Sequence, residues 1–135
     1  MALDPYDPEL VAFWSERHLC TLSTLRADGS PHVVPVGVTY DPQRQVARII
    51  TRASSQKVRN LEWAVTSGDP TGSRVAVCQI DGARWSTLEG NARVSHDPGQ
   101  IAESVRRYAV RYRQPRENPT RVTILIDVTR VLGRL

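Results

Sequence analysis

The sequence predicts a mainly β domain, either an antiparallel sheet or a small barrel, with helices on its outside. Apolar, β-branched runs recur along the chain, and two of the turns between them contain Asp-Gly, at 28–29 and 81–82. Asp-Gly between apolar runs is typical of a β-hairpin. Only three stretches have helical periodicity, and they do not alternate regularly with strands, which disfavours a doubly wound parallel sheet.

The elements are predicted in the order helix, three strands, helix, two strands, helix, strand. The first and third helices begin with Asp-Pro, at 7–8 and 97–98, because Asp is a good N-cap and Pro suits the first helical turn. We expect Phe13 and Trp14 to pack on the core, since they belong to a helical apolar stripe. The predicted helices span 8–18, 54–65 and 98–113, and the predicted strands span 19–25, 32–40, 46–51, 74–80, 83–95 and 121–132.

Length and composition indicate one globular domain over residues 1–135. No apolar run approaches the roughly 20 residues that cross a bilayer, so no membrane partner is expected. The first residues carry acids and no basic or apolar signal region, which predicts a cytoplasmic location. Cys20 and Cys78 each lie in a strand-like run, and we expect two buried free thiols.

The most informative stretch is 47–61, where an apolar strand changes into a helix. The first turn of a helix has unpaired N–H groups and a positive dipole end, which together attract anions. This stretch also contains hydroxyl and cationic side chains: Thr51, Arg52, Ser54, Ser55, Lys57 and Arg59. It predicts a phosphate site, and the alternative is an ordinary N-cap serine with surface charges. Lys57 is the only lysine beside 17 arginines, which hints that a compact ammonium is needed there.

Pro35 and Gly37 interrupt the second predicted strand. Proline lacks an N–H donor, and glycine within a strand often marks a close approach by a ligand or another backbone. Two interpretations remain open from the residues alone. The segment is either an edge strand with a bulge or a ligand contact.

The net charge of +4 predicts an anionic partner. With 6% aromatic residues and no basic run, nucleic acid is disfavoured as that partner. His18, His32 and His96 are scattered without metal-ligand spacing, so no metal site is predicted. The chain has no GxSxG, Walker or GxGxxG motif, and no catalytic side chain is assigned. A bound cofactor would then carry the chemistry.

Two motifs identify a family resemblance. They are Ile50-Thr51-x-x-x-Ser55-x-Lys57-x-x-Asn60-Leu61 and Arg84-Trp85-x-x-x-Glu89-Gly90-x-Ala92. Together they resemble the signature of the pyridoxamine 5′-phosphate oxidase-like superfamily, whose fold is a split β-barrel, an FMN-binding-like antiparallel Greek-key barrel. Further passages at 15–19, 24–34, 81–85 and 107–122 resemble the actinobacterial flavin/deazaflavin oxidoreductases of the B group, and most closely the F420-dependent biliverdin reductases.

The resemblance implies a role for particular residues. Phosphate contacts are implied for Thr51, Arg52, Ser55, Gln56 and Lys57, and contacts with the cofactor ring for His32, Pro35, Val36 and Gly37. It further implies a homodimer in which Arg84 and Trp85 face the cofactor of the partner subunit. The arginines at 106, 107, 111 and 113 are expected to meet either the anionic tail of the cofactor or the substrate.

The implied activity is hydride transfer from reduced coenzyme F420 to a conjugated acceptor, most closely biliverdin, which would become bilirubin. The chain ends at Leu135 without the Trp- and Arg-containing tail with which pyridoxamine phosphate oxidases bind substrate, so that activity is not expected. The alternatives are an FMN-dependent oxidoreductase and a non-catalytic carrier of flavin, deazaflavin or haem.

Overall fold

The computed structural model of the protein describes residues 2–69 and 73–135. Residues 70–72, which lie between the predicted second helix and the strand predicted over 74–80, are therefore outside the described residues. The helices are α1 (Pro8–Ser15), α2 (Gln56–Ser67) and α3 (Pro98–Arg111). The strands are β1 (Cys20–Leu25), β2 (Pro31–Val36), β3 (Thr39–Asp41), β4 (Val46–Arg52), β5 (Arg74–Asp81), β6 (Arg84–Ser95) and β7 (Arg121–Arg134).

The strands form one seven-stranded sheet in the order β2-β1-β5-β6-β7-β4-β3, and every neighbouring pair is antiparallel. The prediction of an antiparallel, mainly β fold is thus confirmed. Both Asp-Gly turns join hairpins, β1 to β2 and β5 to β6. Gly29 and Gly82 have φ angles of +83° and +61°, which few residues besides glycine adopt readily.

The strand predicted over 32–40 is wrong as a single element, because it divides into β2 and β3. Between them, the Val38 N–H donates to the Tyr112 hydroxyl at 3.0 Å, and the Val38 carbonyl accepts from Arg111 at 2.5 Å. These side chains replace strand partners at the break. β2 is an edge strand, as predicted, but Pro35 faces Thr21 in an unbroken register, and the bulge lies instead at Glu89/Gly90.

A buried Arg111 guanidinium also explains where the first helix ends. α1 stops at Ser15 rather than 18, and Glu16 has extended backbone angles. The Glu16 carbonyl accepts hydrogen bonds from Arg111 Nε at 2.9 Å and Nη2 at 2.7 Å. The same guanidinium donates to the side-chain oxygen of Gln79 on β5. Arg111 therefore joins the end of α1, the β2–β3 break and the sheet.

The core is formed by side chains from one face of the sheet, from α1 and from α2. Its side chains include the fully buried Leu22, Leu88 and Ile124, and Phe13 and Trp14 are 1% and 3% exposed, which confirms their predicted packing role. Burial raises the pKa of the Cys20 thiol to about 11. Cys78 is free but only half-buried, so the prediction of two buried thiols is half correct. None of the helices in the described ranges has the length and apolar character that crossing a bilayer requires.

Candidate functional site

A cavity of about 440 Å³ opens where β4 passes into α2. It is lined by the end of β2, the end of β4, the start of α2, one residue of α3 and the segment before β7. These residues are Pro35, Val36, Gly37, Ile50, Thr51, Arg52, Ser55, Lys57, Tyr108, Pro115, Asn118 and Arg121. The cavity thus brings together the two groups of residues that the sequence placed at a phosphate site and beside a ring.

Ser55 occupies the N-cap position of α2, but its hydroxyl makes no capping hydrogen bond. It accepts instead from the Thr51 hydroxyl at 3.3 Å, and Ser55 as a whole is 7% exposed. The first turn of α2 contains no acidic residue. Ser55 therefore has the position of an ordinary N-cap serine but lacks the capping hydrogen bond. Its hydroxyl accepts no hydrogen bond from the N–H groups of the first turn.

Positive charge surrounds this helix end without a compensating acid. Lys57 is half-buried, and its pKa is lowered, first by burial and then by the positive charge of Arg52. Arg121 faces Arg52 across the β4–β7 ladder. Among the described residues, none of these three cations lies within 4.0 Å of a carboxylate oxygen. Such uncompensated charge beside unpaired N–H groups is what an anion requires.

At the end of β2, Gly37 has a packing reason to be glycine. A Cβ atom there would lie 2.7 Å from Cε2 of Tyr108 and 3.2 Å from Cε2 of Tyr112. The missing side chain therefore lets two aromatic rings lie against the strand end. Tyr108 also lines the cavity, so this close packing forms part of its wall.

Outside the stretch 47–61, sequence reasoning missed four cavity residues: Tyr108, Pro115, Asn118 and Arg121. Tyr108 lies in the helix predicted over 98–113, and helical periodicity does not show that its ring borders a cavity. Arg121 is the first residue of the strand predicted over 121–132, and Asn118 lies in the segment before that strand. The passage 107–122 that carries the family resemblance contains all four, and it was the only signal for them.

Two predicted cofactor residues lie nearby but do not line the cavity. Gln56 is exposed, and its amide donates to Asn60 at 2.7 Å and accepts from Arg59 at 3.0 Å. His32 has a buried Nδ1 that finds no hydrogen-bond partner among the described residues. The pKa of His32 is lowered by burial, then by the positive charges of Arg26 and Lys57.

Arg84 and Trp85 lie away from the cavity of their own chain. Arg84 bonds to Glu16 at 3.1 Å and to Asp81, and it covers the Phe13 ring at 4.8 Å. The Arg84 hydrogen bond is the main reason that the pKa of Glu16 is lowered. Trp85 faces Ile80 across the β5–β6 ladder.

The structure also brings His18 close to two carboxylates, a grouping that the sequence did not predict. One ligand atom each from Glu16, His18 and Asp81 lies within 4.8 Å of the others. Arg84 already bonds to both carboxylates. One guanidinium therefore already offsets part of the negative charge of this cluster.

Three of the four arginines expected to meet a cofactor tail are engaged within the chain. Arg106 and Arg107 bond to Glu103 at 2.6 and 2.8 Å and, in that order, lower the pKa of Glu103 to about 2. Arg111 is the buried guanidinium described above. Arg113 is exposed and lines a different cavity.

Several known proteins are similar to this chain in sequence or in structure. The F420H(2)-dependent biliverdin reductase of Mycobacterium tuberculosis is 50% identical over 125 residues, which are 93% of this chain and 85% of the relative. A solved F420 reductase is 25% identical with a TM-score of 0.68, and the match covers 90% of this chain and 94% of that one. The crystal structure of a conserved hypothetical protein from Mycobacterium tuberculosis has a TM-score of 0.74 at 24% identity, covering 94% and 82% of the two chains.

The sequence profile of pyridoxamine 5′-phosphate oxidase matches residues 6–134. That range contains every strand of the sheet and both motifs on which the resemblance rests. The solved structures have the same overall fold over at least 90% of this chain. The resemblance inferred from the sequence is confirmed, and the chain belongs to the pyridoxamine 5′-phosphate oxidase family.

Proposed function

We propose that this protein is an F420-dependent reductase whose acceptor is a conjugated molecule, most closely biliverdin, which it converts to bilirubin. The observation that carries the proposal is the half-buried Lys57, without a carboxylate partner among the described residues, at a helix end that its N-cap side chain leaves unpaired. The relative that is 50% identical to this chain is named for F420 and biliverdin, which supports the choice of cofactor and acceptor.

The cavity residues fit the phosphate of such a cofactor. Lys57 and Arg52 supply charge, the first-turn N–H groups supply donors, and the linked hydroxyls of Thr51 and Ser55 add further hydrogen bonds. An anion would also relieve the cost of burying the Lys57 ammonium. The Gln56 amide donates one of its two N–H groups to Asn60, which would leave the other for the cofactor.

When bound, reduced F420 supplies the hydride. The protein has to hold donor and acceptor in alignment, because positioning alone removes a large part of the barrier of a two-molecule reaction. Pro35, Val36 and Gly37 would lie along the ring, as the resemblance implies, and His32 would stand behind them on the same strand. We propose no side-chain nucleophile.

We further propose a homodimer with the cofactor at its interface. One face of the sheet is rich in small neutral residues, in cross-strand rows such as Pro35–Thr21–Cys78–Thr87. Val33 and Ile80 on this face are 57% and 63% exposed, and Trp85 lies beside Ile80. A second copy that covers this face would bring its Trp85 towards the cofactor, whereas Arg84 lies on the opposite face, over the Phe13 ring. Sedimentation at twice the 15.1 kDa chain mass would support the dimer, and a monomer at micromolar concentration would contradict it.

The central test is a tryptophan-quenching titration with F420 and FMN side by side, using the three tryptophans of the chain. We expect F420 to bind more tightly than FMN. Lys57→Ala should weaken F420 binding by about tenfold to a hundredfold, because charge-assisted bonds to an anion are worth about 1.5–3 kcal/mol. The matched control is Arg59→Ala, which removes an exposed cation two residues further along α2, outside the cavity lining, and should change affinity less than about threefold.

The proposal fails if FMN binds as well as F420, or if Lys57→Ala leaves the affinity unchanged. A yellow, FMN-loaded protein would favour an FMN-dependent oxidoreductase. F420 binding without turnover of any acceptor would favour a carrier.

We also propose a cytoplasmic location, which the two free thiols support because they suit a reducing compartment.

A further inference from the structure

A second cavity, of about 330 Å³, adjoins the cofactor cavity. It is lined by Arg17, Leu19, Tyr108, Tyr112 and Arg113, and Tyr108 lines both cavities. One ring therefore forms a shared wall. A molecule in the second cavity would lie next to whatever occupies the first.

The two tyrosines form a fixed aromatic surface. Their ring centroids are 4.8 Å apart with 31° between the planes. The Tyr112 hydroxyl is held on both sides, because it donates to the His18 carbonyl at 2.6 Å and accepts from the Val38 N–H at 3.0 Å. Both rings lie against Gly37, at the strand end that borders the cofactor cavity. A planar conjugated ligand stacks well on such a surface.

The charged residues of this cavity are free to bind a ligand. Arg17 and Arg113 are both exposed, and within the described ranges neither has a hydrogen bond or an ion pair. This separates Arg113 from Arg106, Arg107 and Arg111, which are bonded within the chain. Leu19 adds an apolar side chain that is 68% exposed.

We propose that this second cavity binds the acceptor, a planar conjugated molecule with carboxylate side arms. Its rings would lie on the tyrosine pair and Leu19, and its carboxylates on Arg17 and Arg113. Guanidinium groups bind carboxylates through paired N–H donors, which suits the two propionates of a bilin. The inference rests on the proposed function, and it adds the residues that select an acidic acceptor.

The test compares biliverdin with its dimethyl ester, in which both carboxylates are neutral. Arg17→Gln and Arg113→Gln are made singly and together, with Arg44→Gln as the control. Arg44 is an exposed arginine of the turn between β3 and β4, so its removal changes the net charge equally. For each variant, KM and kcat for both acceptors and Kd for F420 alone are measured. Bilin binding without cofactor is followed by absorbance.

We expect each single variant to raise the KM for biliverdin by about threefold to tenfold, and the pair by more, with kcat and the Kd for F420 little changed. The wild type should bind the diacid more tightly than the diester, and the double variant should bind both alike. The inference is overturned if wild type does not distinguish diacid from diester, or if the variants weaken both equally. If the protein prefers FMN to F420 but its bilin binding still depends on Arg17 and Arg113, only the proposed cofactor is overturned.

Discussion

At the start of α3, the Asp97 carboxylate accepts a hydrogen bond from the Gln100 N–H at 2.9 Å, and Pro98 follows in the first turn. At the start of α2, Ser55 makes no such bond, no proline follows, and Arg52 and Lys57 add positive charge. α1 resembles α3, because Asp7 accepts from the Glu9 N–H at 2.9 Å. Two helices thus supply their own anion and one does not.

The difference shows that this chain gives up helix stability at the end where we propose that the cofactor phosphate binds. A carboxylate N-cap stabilises a helix by about 1 kcal/mol, and an acid near the N-terminus adds several tenths more. At α2 both contributions are absent, and like charges face each other instead. Since the other two helices have good caps, the missing one at α2 is a local property of the cavity.

The largest effect is expected when α2 is given an aspartate N-cap like that of α3. Ser55→Asp should lower F420 affinity by about a hundredfold, or ~2.7 kcal/mol, because a fixed carboxylate would occupy the anion position. The same change should raise the free energy of unfolding by up to about 1 kcal/mol. Titration and chemical denaturation of one preparation would measure both. Equal affinity in wild type and Ser55→Asp would show that the anion does not bind at this helix end.

The reciprocal change is the control. Asp97→Ala removes the cap of α3 and should cost about 1 kcal/mol of stability while leaving F420 affinity within twofold. Loss of binding in Asp97→Ala without loss of stability would mean that α3, rather than α2, holds the cofactor.

A smaller effect follows from the pKa of Lys57. Folding lowers this pKa from 10.5, so Lys57 holds its proton more firmly in the unfolded chain than in the folded one. The free energy of unfolding therefore rises with pH between the folded-state pKa and 10.5. F420 binding needs the charged form, and it should therefore weaken as pH rises past the folded pKa, by at most about tenfold per unit. Lys57→Arg should move this decline to higher pH. A decline at the same pH in both proteins would assign it to another group.

The parts of the fold that depend on local pattern were predictable. Both Asp-Gly hairpins, the Asp-Pro helix starts and, apart from the division of 32–40 into two strands, the order of elements follow from neighbouring residues. The breaks at Glu16 and Val38 did not, because their carbonyls bond to Arg111, 95 and 73 positions away. No short stretch of the sequence contains both the carbonyl and the arginine that bonds to it.

The site was predictable to the same extent. Thr51, Ser55 and Lys57 lie within one strand-to-helix junction, and local reasoning found them. Tyr108 and Arg121 come to the cavity from other elements, and a helical stripe does not reveal that one of its rings borders a cavity. The family resemblance pointed to their segment but assigned them no role.

The position of β7 has a consequence for the growing chain. β7 lies between β6 and β4, so it is the strand through which the β3–β4 pair joins the rest of the sheet. During synthesis, β4 leaves the ribosome about 70 residues before its partner strand is available. Its edge from Val46 to Arg52, which includes Ile49 and Ile50, stays unpaired for that interval. A nascent chain is therefore most open to aggregation just before its last strand emerges.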